Sequence, residues 1–203
     1  MPHLLGLTGN IACGKTTIGK MLLALGAATY IDADAIVHEL YLPHQPIYDA
    51  VVHTFGPDIL TAEGQIDRKR LGTIVFNDPA QLQQLETITH PAVNGAIASR
   101  IVGLPADAVA VIDAVKLLEG GFGALCDGIW LVTCTVAEER RRLIEERHLT
   151  PEEADARLAA QPDNALRRSQ FTEEIDNSAT FAATQQQVSV AWARFQAKVA
   201  ANQ

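Results

Sequence analysis

Gly9-Asn10-Ile11-Ala12-Cys13-Gly14-Lys15-Thr16-Thr17 is the stretch whose reading decides the fold. It follows an apolar run, Leu4-Leu5-Gly6-Leu7, that reads as a short buried strand, and it precedes Ile18-Gly19-Lys20-Met21-Leu22-Leu23, whose spacing is helical. The pattern is G-x-x-x-x-G-K-[ST], and each fixed position has a physical task. Gly9 and Gly14 can take backbone angles closed to other residues and leave room for phosphate oxygens. The N–H groups between them, with the positive end of the following helix, surround an anion. Lys15 adds a mobile charge for the terminal phosphates, and the Thr16 hydroxyl can ligate Mg²⁺. The bland alternative is a glycine turn that opens a helix and binds nothing; the strand before and the helix after argue against it. The stretch therefore implies a nucleoside triphosphate.

Composition narrows the partners. At 203 residues and 48% hydrophobic, the chain can bury one sizeable core with a small appended lobe. Its 16 basic and 24 acidic side chains give a net charge of −8, which argues against a nucleic-acid surface. The first residues hold no charged region leading into a long apolar stretch, and no window reaches the roughly 20 apolar residues of a membrane span. The expectation is a cytoplasmic protein with neither a membrane nor a nucleic acid as partner. Cys13, Cys126 and Cys134 form no CxxC pair, which fits a reducing compartment. Cys13 has two readings: a thiol of lowered pKa beside Lys15 at a helix N-terminus, or a small side chain filling a loop position.

Beyond the loop, the chain alternates strand and helix. Gly26 ends the first helix, and Ala27–Ile31 reads as a second strand entering Asp32-Ala33-Asp34. A strand, helix, strand unit is parallel and right-handed, and ligands of such sheets sit at the carboxyl ends of the strands. Asp32 and Asp34 are thereby placed on the rim with the phosphate loop, one facing the site and the other capping the helix that follows. His38 lies one turn beyond Asp34. Residues 43–104 read as a helical insert carrying Arg68, with Pro91 breaking its longest helix and setting His90 at a bend. Ala108–Asp113 is a buried strand ending in an acid, which makes Asp113 a candidate for orienting Mg²⁺. Lys116 and Glu119 follow, either paired with each other or contacting substrate. Gly128–Cys134 is a further buried strand. The arginine-dense segment Glu138–Arg147 is either a solvated helix face or a phosphate lid, with a Thr150-capped helix after it that Gln161-Pro162 ends. Glu174–Ser178 reads as a last strand and rim loop, and Phe181–Val199 as a closing helix turning Val188, Val190, Trp192 and Phe195 to the core. The fold class is α/β.

Leu7–Thr17, Ile31-Asp32-Ala33-Asp34, Ile66-Asp67-Arg68, Val75-Phe76, Leu85–Pro91, Leu117-Leu118-Glu119, Arg157-Leu158-Ala159-Ala160-Gln161 and Ile175-Asp176-Asn177-Ser178, in this order, resemble the dephospho-coenzyme A kinase family. The resemblance implies a three-layer P-loop kinase fold with a parallel sheet, a helical substrate-binding insert and a helical lid. Its core would be 1–34, 105–136 and 166–203, its coenzyme-binding insert 35–104 and its lid 137–165. It implies ATP-dependent phosphorylation of the ribose 3′-hydroxyl of dephospho-coenzyme A, with ATP and Mg²⁺ as cofactors and a monomer or small homo-oligomer as the assembly. Asp34 matches the family's general base, Lys15 a phosphate residue and Thr16 the Mg²⁺ ligand. Asn10, Ile11, Ala12, Cys13, Gly14, Lys15, Thr16, Thr17 and Asn177 would hold the nucleotide. Asp34, His38, Arg68, His90 and Lys116 would hold the substrate. Arg142 is the catalytic lid arginine expected by position, and Arg147 a second, offset one. Asn10 and Ala12 stand where the family has glycines, which requires ordinary backbone angles at both. The competing readings are another small-molecule kinase on the same fold, a nucleoside or nucleotide kinase, and a guanine-nucleotide switch; the chain has no N-K-x-D motif for the latter.

Overall fold

The computed structural model describes residues 1–118, 121–161 and 164–201; Glu119 and Pro162, named above, lie outside them. Five strands, β1 (His3–Gly9), β2 (Thr29–Asp32), β3 (Val109–Asp113), β4 (Gly128–Thr133) and β5 (Glu173–Asp176), form one sheet in the order β2-β3-β1-β4-β5. The described pairings are parallel, with Leu5 of β1 opposite Val111 on one side and Gly128 on the other. Central strands of a parallel sheet are covered on both faces, hence the nearly unbroken apolar runs of β1, β3 and β4.

Among the described residues there are eight α-helices: α1 (Lys15–Ala24), α2 (Ala33–Leu40), α3 (Tyr48–Phe55), α4 (Arg68–Val75), α5 (Pro79–Ile101), α6 (Val136–Glu145), α7 (Pro151–Ala159) and α8 (Phe181–Ala201). None is long and apolar enough to cross a membrane. The chain divides into two compact units, Met1–Ile31 with Gly103–Gln203, and Asp32–Val102.

The first unit holds the sheet, α1, α6, α7 and α8. Leu5, Leu7, Val111, Trp130 and Val132 from the strands join Ile18 and Leu22 of α1 and Val188, Trp192 and Phe195 of α8 in one buried cluster. Each such side chain contributes about 1.5–3 kcal/mol on burial. Trp192 stacks on Phe195 with ring centroids 6.0 Å apart, and its indole N–H donates to the Leu25 carbonyl at the end of α1. Val190 does not join them: it is 47% exposed, because two residues from Val188 on a helix is the opposite face.

In the second unit, Asp32, Asp67 and Asp78 cap α2, α4 and α5, each side chain accepting from backbone N–H groups of the first turn. Ile36, Leu40, Val51, Ile59, Leu71, Val75, Val93 and Ile97 are buried. The interruption expected at Pro91 does not occur: α5 continues through it as one helix from Pro79 to Ile101. The missing N–H leaves the Thr87 carbonyl without its helical partner, a disruption of about 3 kcal/mol in an isolated helix. Burial of Thr89 before the proline and Val93 and Ile97 after it lets tertiary packing override the local preference. His90 therefore sits half-buried in mid-helix.

Candidate active site

The phosphate loop is shaped by its glycines. Gly14 has φ +100°, and a Cβ there would stand 2.1 Å from Asn177 Nδ2; at Gly9, with φ +151°, it would stand 2.2 Å from the Val132 carbonyl oxygen. Glycine is thus required by space as well as by angle. Ala12 contradicts the expectation of ordinary angles: its φ is +61°, in the left-handed region, whereas Asn10 is outside it.

Gly14 is also the N-cap of α1 and offers no side-chain acceptor. α3 also lacks a side-chain cap, whereas α2, α4, α5, α6 and α7 are each closed by an Asp or Thr cap. The Thr17 N–H turns back to the Gly14 carbonyl at 3.0 Å, and no side chain caps the N–H groups of Lys15 and Thr16, the kind of helix end that can take an anion. Thr16 and Thr17 are exposed at this end, and the Lys15 ammonium donates to the carbonyls of Gly9 (3.0 Å) and Asn10 (3.4 Å).

Residues far along the chain grip the loop. Asn177, just past β5, donates from Nδ2 to the Cys13 carbonyl and accepts at Oδ1 from the Thr184 hydroxyl. Arg142 of α6 donates to the carbonyls of Ala12 (3.0 Å) and Asn177 (3.2 Å), while its Nε is held by Glu138 at 2.9 Å. Gln161 accepts from the Ile11 N–H through Oε1 at 2.9 Å, and the Asn164 amide donates to the Asn10 side chain. Gln161 and Asn164 were not among the expected site residues; the A-A-Q element carried the only signal for the first, and nothing in the sequence marked the second.

The arginine-dense segment divides its work. Arg140 forms a bidentate pair with Asp155 that ties α6 to α7, Arg141 pairs with Glu138, Glu145 and Glu146 on the surface, and Arg142 turns inward. Arg147 is exposed beyond the end of α6 and is not brought to the loop. Glu139 is 3% exposed on the same helix, near Lys15 and Arg142. Burial raises its pKa, and the two cations oppose that rise.

Cys13 is fully buried, and desolvation pushes its thiol up to about 11 despite the pull of Lys15. The lowered-pKa reading is thereby overturned: burial outweighs the neighbouring charge. Asp113 is buried at the end of β3 and accepts from the Tyr30 hydroxyl. A Cβ on Gly19 would stand 2.2 Å from the Tyr30 ring, so this glycine makes room for the tyrosine. Lys116 is exposed in the loop after β3.

Within the Asp32–Val102 unit, Asp32 caps α2, as expected of one of the two acids, and Asp34 lies exposed in its first turn. His38, one turn later, has Nδ1 3.1 Å from Arg68 Nη1. Partial burial, then the Arg68 charge, lower its pKa, with Asp34 and Asp32 pulling the other way. A neutral ring accepts the guanidinium hydrogen bond.

No three His, Cys, Asp or Glu side chains among the described residues form a metal cage.

The sequence profile of the dephospho-CoA kinase family matches residues 3–183. A dephospho-CoA kinase from Symbiobacterium thermophilum is 41% identical over 195 residues, covering 94% of this chain and 80% of that one. A Thermus thermophilus crystal structure superposes with TM-score 0.83 at 26% identity, covering 95% of this chain and 97% of the other. The dephospho-CoA kinase from Campylobacter jejuni superposes with TM-score 0.58 at 25% identity, over 96% and 97%. The α/β P-loop kinase fold, the uncapped phosphate loop and these relatives agree: the chain belongs to the dephospho-CoA kinase family, the transferases that use ATP to make coenzyme A in the last step of its synthesis.

Proposed function

We propose that Lys15, Arg142 and Asp34 carry the phosphoryl transfer, with Thr16 as the protein's ligand to Mg²⁺. The observation that supports this most is the α1 terminus, which lacks a capping side chain while Lys15 and Arg142 lie over its loop. The backbone from Asn10 to Thr17, including Ile11, Ala12, Cys13 and Gly14, holds the triphosphate, with Asn177 bracing Cys13. Mg²⁺, when bound, neutralises charge between the outer phosphates. Lys15 follows the charge that develops on the transferred group, and Arg142 presents a guanidinium with several donors to the same charge. Its contacts to the Ala12 and Asn177 carbonyls fix where that guanidinium stands.

Asp34 orients the acceptor hydroxyl and takes its proton as the new P–O bond forms and the bond from the γ-phosphorus to the bridging oxygen breaks, ADP leaving with that electron pair. It is exposed, so a substrate hydroxyl can reach it. Arg68, held by His38, suits the anionic groups of dephospho-coenzyme A, and His90 and Lys116 are assigned to the same substrate. Residues 35–104 serve as the coenzyme-binding insert and 137–165 as the lid, the latter supported by the Arg140–Asp155 tie that makes α6 and α7 one hairpin. Asp113, braced by Tyr30, would orient the water shell of a bound Mg²⁺. The cytoplasm is the proposed compartment, in keeping with three free thiols.

The test compares ADP release from Mg·ATP with dephospho-coenzyme A, adenosine, AMP and pantetheine as acceptors, in the wild type and in Asp34→Asn. Release confined to dephospho-coenzyme A is expected. Asp34→Asn should retain ATP binding and lose about 10²–10⁴ in kcat. A comparable loss of ATP affinity in Asp34→Asn removes the base assignment.

A further inference from the structure

Of the three acids of α6, Glu138 and Glu145 pair with its arginines, and Glu139 is the buried one. It sits on the buried face of α6, one turn from buried Leu143, where an apolar side chain would be the ordinary occupant. Burying a carboxylate costs several kcal/mol unless opposite charge compensates it. The compensation here comes from Lys15 at the start of α1 and from Arg142 on its own helix, with the Cys13 and Cys134 thiols as the other titratable neighbours. Glu138, the next acid on α6, is turned to Arg141 and Arg142 at the surface. Among the described residues Glu139 is joined to its cations by charge rather than by a direct ion pair, so the same cations can be drawn to another anion.

We propose that Glu139 is the internal counter-ion of Lys15 and Arg142, and that it takes up a proton when nucleotide phosphates claim those two cations. The inference rests on the reading of the loop as the triphosphate site. The balance is simple. Ionised Glu139 offsets the positive charge of Lys15 and Arg142 while the loop holds no phosphate. A triphosphate brings further negative charge onto the same two groups, and a buried carboxylate left beside it is both desolvated and repelled. One proton from solvent converts it to the neutral acid, so nucleotide affinity falls as pH rises, by up to tenfold per pH unit for one linked proton. Glu139 thereby acts as a positioning residue: it keeps Lys15 and Arg142 together over the loop before substrate arrives.

The experiment is calorimetric titration of ADP into the full chain in Pipes and in Tris, whose ionisation enthalpies differ, with Glu139→Gln run beside the wild type. The nucleotide's own protonation is common to both and cancels in the difference. The wild type should take up more protons per ADP than Glu139→Gln, by a fraction approaching one. Glu139→Gln should bind about tenfold tighter at the alkaline end, where the wild type carries the repelling charge. Equal proton counts with ADP bound to both proteins overturn the assignment of Glu139 and leave the loop reading intact. Absence of ADP binding to the wild type removes the loop reading and this inference with it. If Glu139→Gln does not fold, wild-type protein labelled with ¹³C-carboxyl glutamate decides: one carboxyl midpoint rising on ADP addition supports the proposal, and unchanged midpoints throughout refute it.

Discussion

Ala12 offers the sharpest test of how the loop is built. With φ +61° it occupies a conformation that disfavours a side chain, because its Cβ crowds the following carbonyl at a cost of about 1–2 kcal/mol. Ala12→Gly removes that clash. It also frees the unfolded chain, which offsets about 0.4–1 kcal/mol of the gain. The net expectation is a stabilisation of about 0.5–1 kcal/mol, from the difference between those two terms. With unfolding entropy near 2.1 cal/mol/K per residue, the 203 residues give about 0.4 kcal/mol/K, so Tm should rise by about 1–2 °C. Ala12→Val should do the reverse and lower Tm, since a β-branched residue fits the left-handed region worse than alanine. Calorimetric scans of the three proteins in the absence of nucleotide measure this. A drop in Tm for Ala12→Gly together with no change for Ala12→Val would refute the claim that backbone strain is stored at this position.

Arg142→Ala should leave the fold intact and cut kcat by about 10²–10³, the range for losing one donor to developing charge, whereas Arg142→Lys keeps the charge but cannot reach both Ala12 and Asn177; steady-state rates with dephospho-coenzyme A decide. His38 titrates below its ordinary value, so its neutral form is the one the folded chain favours. The stability it contributes is complete above about pH 6.5 and is lost as pH falls from there through the lower folded value, when a second cation meets Arg68. His38→Gln should flatten that part of a urea-midpoint profile taken between about pH 5 and 7.5. Thr150→Ala breaks a reciprocal capping box with Glu153 and should destabilise α7 by about 1 kcal/mol, seen as faster amide exchange in residues 151–159, with Thr150→Ser near wild type.

Local chemistry made much of this legible from the sequence. The D-x-D at 32–34 put Asp32 at the cap of α2 and Asp34 in its first turn, and the Thr150-Pro151-Glu152-Glu153 run contained its own capping box. Apolar runs ending at Gly9, Asp113 and Thr133 mark central parallel strands because nothing else in such a sheet tolerates them. What stayed hidden depends on partners distant in the chain. The Pro91 signal was correct for an isolated peptide and was overruled by burial on both sides of it. Cys13 looked activated because Lys15 is visible two residues on, while the packing that desolvates it is not. Glu139 passed as one of several surface charges, although helical period sets it on the face of buried Leu143 and Glu138 on the next. Asn164 was silent for the same reason, and Gln161 showed only through the A-A-Q element, their partners being 154 and 150 residues away.

Those long spans also bear on how the chain is made. Backbone groups of Ile11, Ala12 and Cys13 are held by Gln161, Arg142 and Asn177, and the Asn10 side chain by Asn164. Sequence separations of 130 to 164 residues mean that an emerging polypeptide translates its phosphate loop first and receives the clasps for it last. Until Asn177 has left the ribosome the loop is a glycine-rich turn with no fixed shape to offer an anion. Nucleotide is therefore expected to act as a ligand of the finished protein rather than a template for its assembly, and chains released early, before the final strand, should ignore ATP however intact their first twenty residues are.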